Sequence, residues 1–175
     1  MGSESTIRQL PTVEFVGLRL RPTCPLDVDF VIRAEQDSSN SLFIKQWTRQ
    51  EHLDSLKDPN FGHWLIELVK DNLLLGYIIA NGFENTNGKI FLKRIVVTHK
   101  NQGYGRRALR AFQQMVFSQP EVNLIWLCVY PQNKHARYLY RSEGYAEIGL
   151  SPQEKLIMMA LERKRSRFKR DLQAL

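Results

Sequence analysis

At 175 residues, with 43% hydrophobic and 25% charged side chains, the chain is long enough to bury one sizeable core without disulfides or a structural metal. No apolar run approaches the roughly 18 residues of a membrane-spanning helix, so a helical membrane protein is excluded. The net charge of +7 invites a nucleic-acid reading, but residues 162–175 hold more than half of that excess in Arg163, Lys164, Arg165, Arg167, Lys169 and Arg170, against Glu162 and Asp171.

Residues 1–12 read as a disordered leader. Their opening MGSEST fits the loose N-myristoylation pattern, which many initiator segments share, and lipidation is not expected. VEFVGLRL, residues 13–20, is β-rich and halted by Arg21-Pro22, which predicts an opening strand. A helix then starts near Pro25-Leu26-Asp27 and carries Leu26, Phe30, Val31 and Ala34 at helical spacing up to Glu35. Thr48 with Glu51 has the form of a capping box and predicts a short helix ending near Asp58-Pro59.

HWLIELV, LLLGYIIA and KIFLKRIVV predict three strands between His63 and Val97. Their short connections at Asp71-Asn72 and Glu84–Gly88 imply an antiparallel meander. Ala108, Phe112, Met115 and Val116 mark a helix running from Gly105 to about Ser118. A buried strand at Asn123–Tyr130, a helix at Asn133–Glu143 ended by Gly144, and strands at Ala146–Ile148 and Lys155–Leu161 complete the chain. The domain spans residues 13–162 and is α+β, a mixed α/β arrangement; residues 163–175 form a basic tail or helix.

Between Val97 and the helix at Gly105 lies Lys100-Asn101-Gln102-Gly103-Tyr104-Gly105-Arg106. Two glycines permit a tight turn, and the unpaired amides and dipole of the helix's first turn attract an anion, with Lys100, Arg106 and Arg107 adding whole charges. Alone, this is equally well an ordinary glycine-rich turn. It lacks the Gly-Lys-Ser/Thr ending of a Walker loop, and Ala108 breaks the dinucleotide fingerprint.

Read with Asn133-x-x-Ala136-x-x-Leu139-Tyr140-x-x-x-Gly144-Tyr145, the turn resembles the GNAT superfamily of N-acetyltransferases. Its motifs are Gln/Arg-x-x-Gly-x-Gly/Ala, met by Lys100-x-x-Gly103-x-Gly105, and Asn-x-x-Ala-x-x-Leu-Tyr-x-x-x-Gly-Phe, with Tyr145 replacing the Phe. Lys100 keeps the cation without the fork of Arg, and the loop after Val97 is about two residues shorter than the commonest family form. The start at Leu18–Pro22 is similar to the branch containing ribosomal-protein and spermidine N-acetyltransferases.

The resemblance implies a mostly antiparallel six- to seven-stranded sheet flanked by about four helices, and acetyl-CoA as acyl donor. It implies that the amides of Gln102, Gly103, Tyr104, Gly105 and Arg106, with Lys100 beside them, hold the pyrophosphate. The edge at Ile95, Val96 and Val97 would pair the pantetheine arm, Asn133 would contact it, and Tyr140 would protonate the leaving thiolate. Asn133 also reads as a plain N-cap and Tyr140 as an amphipathic core residue.

The resemblance further implies a primary amine as acceptor: a protein N-terminus, a polyamine or a small amino compound. A catalytically silent acyl-CoA-binding or sensing module is the alternative. The one carboxylate to offer as a base is Glu67, and a water relay is as good. Cys128 reads as a core thiol, and no His or Cys spacing implies a metal. Trp47, His52 and Phe61 flank the acceptor side or simply pack. Two unpaired cysteines fit a reducing cytoplasm. The basic tail offers at most a weak contact to an acidic surface or ribosomal RNA.

Overall fold

A computed structural model describes residues 10–164; the myristoylation pattern and residues 165–175 of the tail lie outside the described residues. Val16 and Gly17 both take positive φ, 46° and 75°, as a two-residue hairpin turn requires. The single opening strand expected is therefore a hairpin, β1 (Val13–Phe15) with β2 (Leu18–Pro22). A 3-10 turn at Pro25–Asp27 leads into α1 (Val28–Gln36). Leu26, assigned to the helix's apolar stripe, is exposed instead.

At Asp37 the backbone turns extended, and the carboxylate caps a short second helix, α2 (Ser38–Ser41), by accepting from the Ser39 amide. Thr48 and Glu51 form the expected capping box of α3 (Arg49–Lys57). Then come β3 (Phe61–Leu68), β4 (Leu74–Asn81), β5 (Lys89–Val97), α4 (Tyr104–Phe117), β6 (Leu124–Val129), α5 (Lys134–Ser142), β7 (Ala146–Leu150) and β8 (Ile157–Glu162).

The described residues thus form five α-helices, one more than expected because α2, capped by Asp37, follows the end predicted at Glu35. One eight-stranded sheet runs β1-β2-β3-β4-β5-β6-β8-β7. The extra strand over the expected six or seven comes from the Val16-Gly17 turn. All pairings are antiparallel except β5 with β6. The leader meets the body at its last residues: Leu10 packs on the core, and Pro11 accepts a hydrogen bond from the Trp64 indole. At the other end Arg163 donates to the Val122 carbonyl and lies over the Phe117 ring.

The sheet separates two cores. Ile66, Ile78, Ile90, Leu92, Val97, Ile125, Leu127 and Met159 face Leu109, Phe112 and Val116 of α4. On the opposite face Leu65, Tyr77, Ile79 and Val96 meet Val31 and Ala34 of α1. The two faces of β5 do not alternate throughout. Ala80 pairs Leu92 while Ile79 pairs Arg94, so Lys93 is an inserted bulge residue. The bulge shifts the parity: Ile90 and Leu92 share a face with Ile95 and Val97, and Arg94 turns to the α1 side.

There Arg94 meets buried Glu35, whose Oε1 accepts from Arg94 Nη1 at 2.5 Å and from the Tyr77 hydroxyl at 2.7 Å, while Oε2 accepts from the Trp47 amide at 3.1 Å. Arg94 also donates to the Lys45 carbonyl. Glu35 stays ionised although burial opposes it, because His52, Arg94, Tyr77 and the Trp47 amide lower its pKa. One buried ion pair therefore anchors the irregular segment 42–48 to β5.

His63, also buried, shares a 2.8 Å hydrogen bond with Thr23, and burial, then nearby His52, lower its pKa to about 3. Below its unfolded value of about 6.5 the unfolded chain binds a proton that the fold refuses, so stability falls as pH drops from about 6.5 toward 3. In urea titrations, His63→Phe should therefore lose roughly 2 kcal/mol less stability than wild type between about pH 7.5 and about pH 5. Parallel pH dependences of the two proteins would refute the assignment.

Candidate active site

The turn before α4 is built as its residues suggest. Asn101 and Gly103 both have positive φ, 60° and 73°, and Gly103 is the N-cap. Nothing stands within 4 Å of a Cβ placed on Gly103, so backbone conformation alone calls for glycine there. The first amide bonded within the helix is that of Arg107, to the Gly103 carbonyl. The amides of Tyr104, Gly105 and Arg106 have no acceptor among the described residues, which leaves an anion-attracting cup at the positive end of a 14-residue helix.

A Cβ on Gly105 would lie 3.8 Å from both Leu139 of α5 and Val97 of β5. The cup therefore rests between those two elements.

Its cations are already engaged. Lys100 donates to Asn40, itself bound to the Ala34 carbonyl, so the turn is tied to the α1–α2 corner. Partial burial lowers the Lys100 pKa, with Asp37 opposing. Arg106 pairs with Glu143 and bonds Ser142, and Arg110 makes two bonds to the same carboxylate. Burial works against the Glu143 charge, but Arg110 and Arg106 outweigh it and lower its pKa. Arg107 donates to the Val16 carbonyl and covers the Tyr104 ring. Gln102 is exposed. What the turn presents unspent is backbone amides rather than side-chain charge.

Beside the cup the sheet opens. β5 and β6 pair only from Lys89–Phe91 to Leu124–Trp126. Beyond that, Ile95, Val96 and Val97 keep their β4 partners Ile78, Tyr77 and Gly76, and the edge toward β6 is unpaired. Leu127–Val129 pair with β8 and likewise leave an edge free. Gly76 permits the close approach of β4: its Cβ would stand 1.9 Å from the Val96 carbonyl oxygen.

Asn133 caps α5 by accepting from the Ala136 amide at 3.1 Å. Tyr140 lies in the α4-side core, 8% exposed. Its hydroxyl has no hydrogen-bond partner among the described residues, yet it is not sealed from solvent. Burial raises its pKa above the ordinary phenol value. Tyr145, in the place of the motif's Phe, packs its ring 5.6 Å from Tyr140, with its hydroxyl sealed beside Gln113.

Other expectations change. Glu67 is spent on Arg21, at 2.5 Å, and Arg19, on a strand separated from β5 by β4, so it is no base for this site. His52 and Phe61 pack edge-on against Trp47, and Phe61 also lines a pocket with Thr23, Leu56 and His63, on the far side of β3 from the gap between β5 and β6. Cys128 is partly exposed on the sheet face away from α4, and burial raises its thiol pKa. Sequence reasoning passed over Glu35, which carries no local signal, and the Lys93-Arg94 bulge. The bulge does carry one: a charged doublet across which the apolar positions change parity, Ile90 and Leu92 before it, Ile95 and Val97 after.

Residues 29–145 match the model of the Acetyltransferase (GNAT) family. Among solved structures the chain superposes on a Vibrio cholerae protein assigned as a ribosomal-protein-serine acetyltransferase, with TM-score 0.73, 18% identity, and coverage of 89% of this chain and 99% of that one. It also superposes on spermidine N-acetyltransferase from Vibrio cholerae, solved with CoA and spermine, at TM-score 0.73, 17% identity and coverage of 83% and 95%. An aminoglycoside acetyltransferase solved with coenzyme A gives 0.72, 19%, 83% and 95%.

The shared carboxylate of Glu143 supplies a direct check on how α4 is held to α5. With both guanidiniums partly exposed, Glu143→Ala should cost about 1 kcal/mol in urea denaturation, and less in high salt. An unchanged midpoint would mean that the pair contributes nothing.

Proposed function

The chain belongs to the acetyltransferase (GNAT) family, and on that premise we propose that it moves an acetyl group from acetyl-CoA directly to a primary amine. The parting of β5 from β6 beside the α4 turn carries this reading. A free strand edge takes the amides of a pantetheine arm as it would take another strand, and a helix N-terminus takes a pyrophosphate. In this assignment Gln102–Arg106 meet the diphosphate with Lys100 beside them, Ile95–Val97 hold the arm, and Asn133 borders it.

The amine nitrogen attacks the thioester carbonyl, the C–N bond forms, the C–S bond breaks, and the nitrogen sheds a proton. Tyr140 supplies the proton that the departing thiolate needs. Its burial supports the role, since a phenol with raised pKa stays protonated across the neutral range. The amide of Val96 or Val97 is the candidate for stabilising the tetrahedral oxyanion. An acyl-cysteine route through Cys128 is disfavoured because its thiol is held protonated. Two free cysteines fit work in the reducing cytoplasm.

Acetyl-CoA should bind the purified protein in calorimetry, and a panel of amines should release free CoA thiol from it. No binding at millimolar cofactor would end the reading, and binding without release from any amine would favour a silent acyl-CoA sensor. Tyr140→Phe should lower kcat about 100-fold or more with little change in acetyl-CoA affinity; undiminished turnover would remove Tyr140 from the chemistry. Because Tyr140 stays protonated, kcat/KM should rise with pH through neutrality as the acceptor amine deprotonates, with no falling limb below about pH 9.

A further inference from the structure

On the face that carries α1 and α3, those helices cover β3 to β5 and go no further. Beyond them Phe91, Trp126, Cys128 and Met158 are all partly exposed and belong to neither core. The Phe91 and Trp126 rings are in contact at a tilt of 32° with centroids 4.2 Å apart, and Cys128 pairs Met158 across β6 and β8. Phe43 of the 42–48 segment reaches the end of β6, where its ring stands 6.0 Å from Tyr130. The result is an aromatic-floored groove on the helix-poor side of the gap between β5 and β6.

Lys93 belongs to this groove because it is the bulge residue. With Arg94 it turns to the α1 face: its Nζ is 5.3 Å from the Trp47 ring centroid and 5.9 Å from that of Phe91, while the Arg94 guanidinium covers the same indole at 4.3 Å. The ammonium has no hydrogen bond and no carboxylate within 4 Å among the described residues, so the ring contacts leave its N–H donors unspent. The engaged cations differ: Arg94 has Glu35, Arg21 has Asp27 and Glu67, Arg106 and Arg110 have Glu143, and Lys100 has Asn40.

The charges around it leave the groove positive. Burial, then Arg94, and more weakly Lys45 press its pKa down, while Glu154, on the turn after β7, acts in the other direction. Arg94 is neutralised by Glu35, which leaves two ammoniums against one carboxylate.

We propose that Lys93 recognises an anionic group on the acceptor, so that the groove selects primary amines that also carry a carboxylate, on an apolar or aromatic body, over polycationic amines. This rests on the amine-transfer reading and narrows its substrate class. Lys93 lies three residues from Val96, less than about 10 Å along the bulged strand, a separation on the scale of one small amino acid derivative, or of one peptide N-terminus with an acidic neighbour.

The test uses pairs that differ in the anion: L-phenylalanine against phenethylamine, and short free-amine peptides with Glu or Lys in the second position, with spermidine as the polycationic probe. Two quantities are read for each, kcat/KM by CoA thiol release, and affinity for the CoA-loaded protein by calorimetry. The wild type should favour the anionic member about tenfold or more. Lys93→Met should bring the pair to within about threefold, Lys93→Arg should retain the preference, and acetyl-CoA affinity should be unchanged in both.

Preference for spermidine or the Lys peptide, discrimination surviving in Lys93→Met, or no binding of any anionic probe at millimolar concentration would overturn the assignment. Anion preference in binding without CoA release from any amine would support Lys93 and sink amine transfer. Release without preference would do the reverse.

Discussion

One inserted residue in β5 governs how the two faces of the sheet are used. A strand alternates with period two, so without the bulge at Lys93 the residues after it would exchange faces: Ile95 and Val97 would leave the α4 core and Arg94 would enter it. With the bulge, the apolar side of β5 stays continuous and two consecutive cations turn to the opposite face. A bulge also increases local twist, and β5 loses its ladder to β6 just before it, after Phe91. The open edge and the cation pair thus come from one local event.

Arg94 has a buried partner in Glu35, and this pair connects the sheet to α1 and to the segment that leads into α3. Glu35 binds the Trp47 amide and Arg94 binds the Lys45 carbonyl, so segment 42–48 is held although it has no regular structure of its own. Breaking such a pair strands a buried charge, which costs several kcal/mol in general. Segment 42–48 in turn carries Phe43 to Tyr130. A wall of the aromatic groove is therefore positioned by an electrostatic contact made beside Trp47.

The two sides of the gap differ in how charge is presented. At the α4 turn, Lys100, Arg106 and Arg107 are engaged by protein groups, and the free polarity is a ring of backbone amides. Amides attract an anion without the desolvation that an unpaired side-chain cation would demand. On the α1 face the arrangement is inverted: the polarity presented beside the gap is the half-buried Lys93 ammonium, set against aromatic rings.

Local patterns carried much of the fold. The capping box at Thr48 and Glu51, the meander through β3, β4 and β5, the amphipathic stripe of α4 and the glycine turn are all written within windows of about ten residues, where hydrogen-bonding and apolar period are set by near neighbours. Asn133–Tyr145 and Lys100–Gly105 likewise stand as contiguous motifs, so the candidate donor site could be read along the chain. Even locally, the Val16-Gly17 turn escaped notice, because valine at positive φ is uncommon and leaves no turn signature.

What the sequence by itself determined, then, is which segments are helix and strand and which turn attracts an anion. Tertiary structure alone decided that Glu35, 59 residues from Arg94 along the chain, would meet it, that Glu67 would be consumed by Arg19 and Arg21, and that Lys93 would have no carboxylate within 4 Å among the described residues. The reason is physical: the state of a charge depends on which distant groups the packed sheet brings within a few ångströms, and one-residue shifts in register reassign all of them.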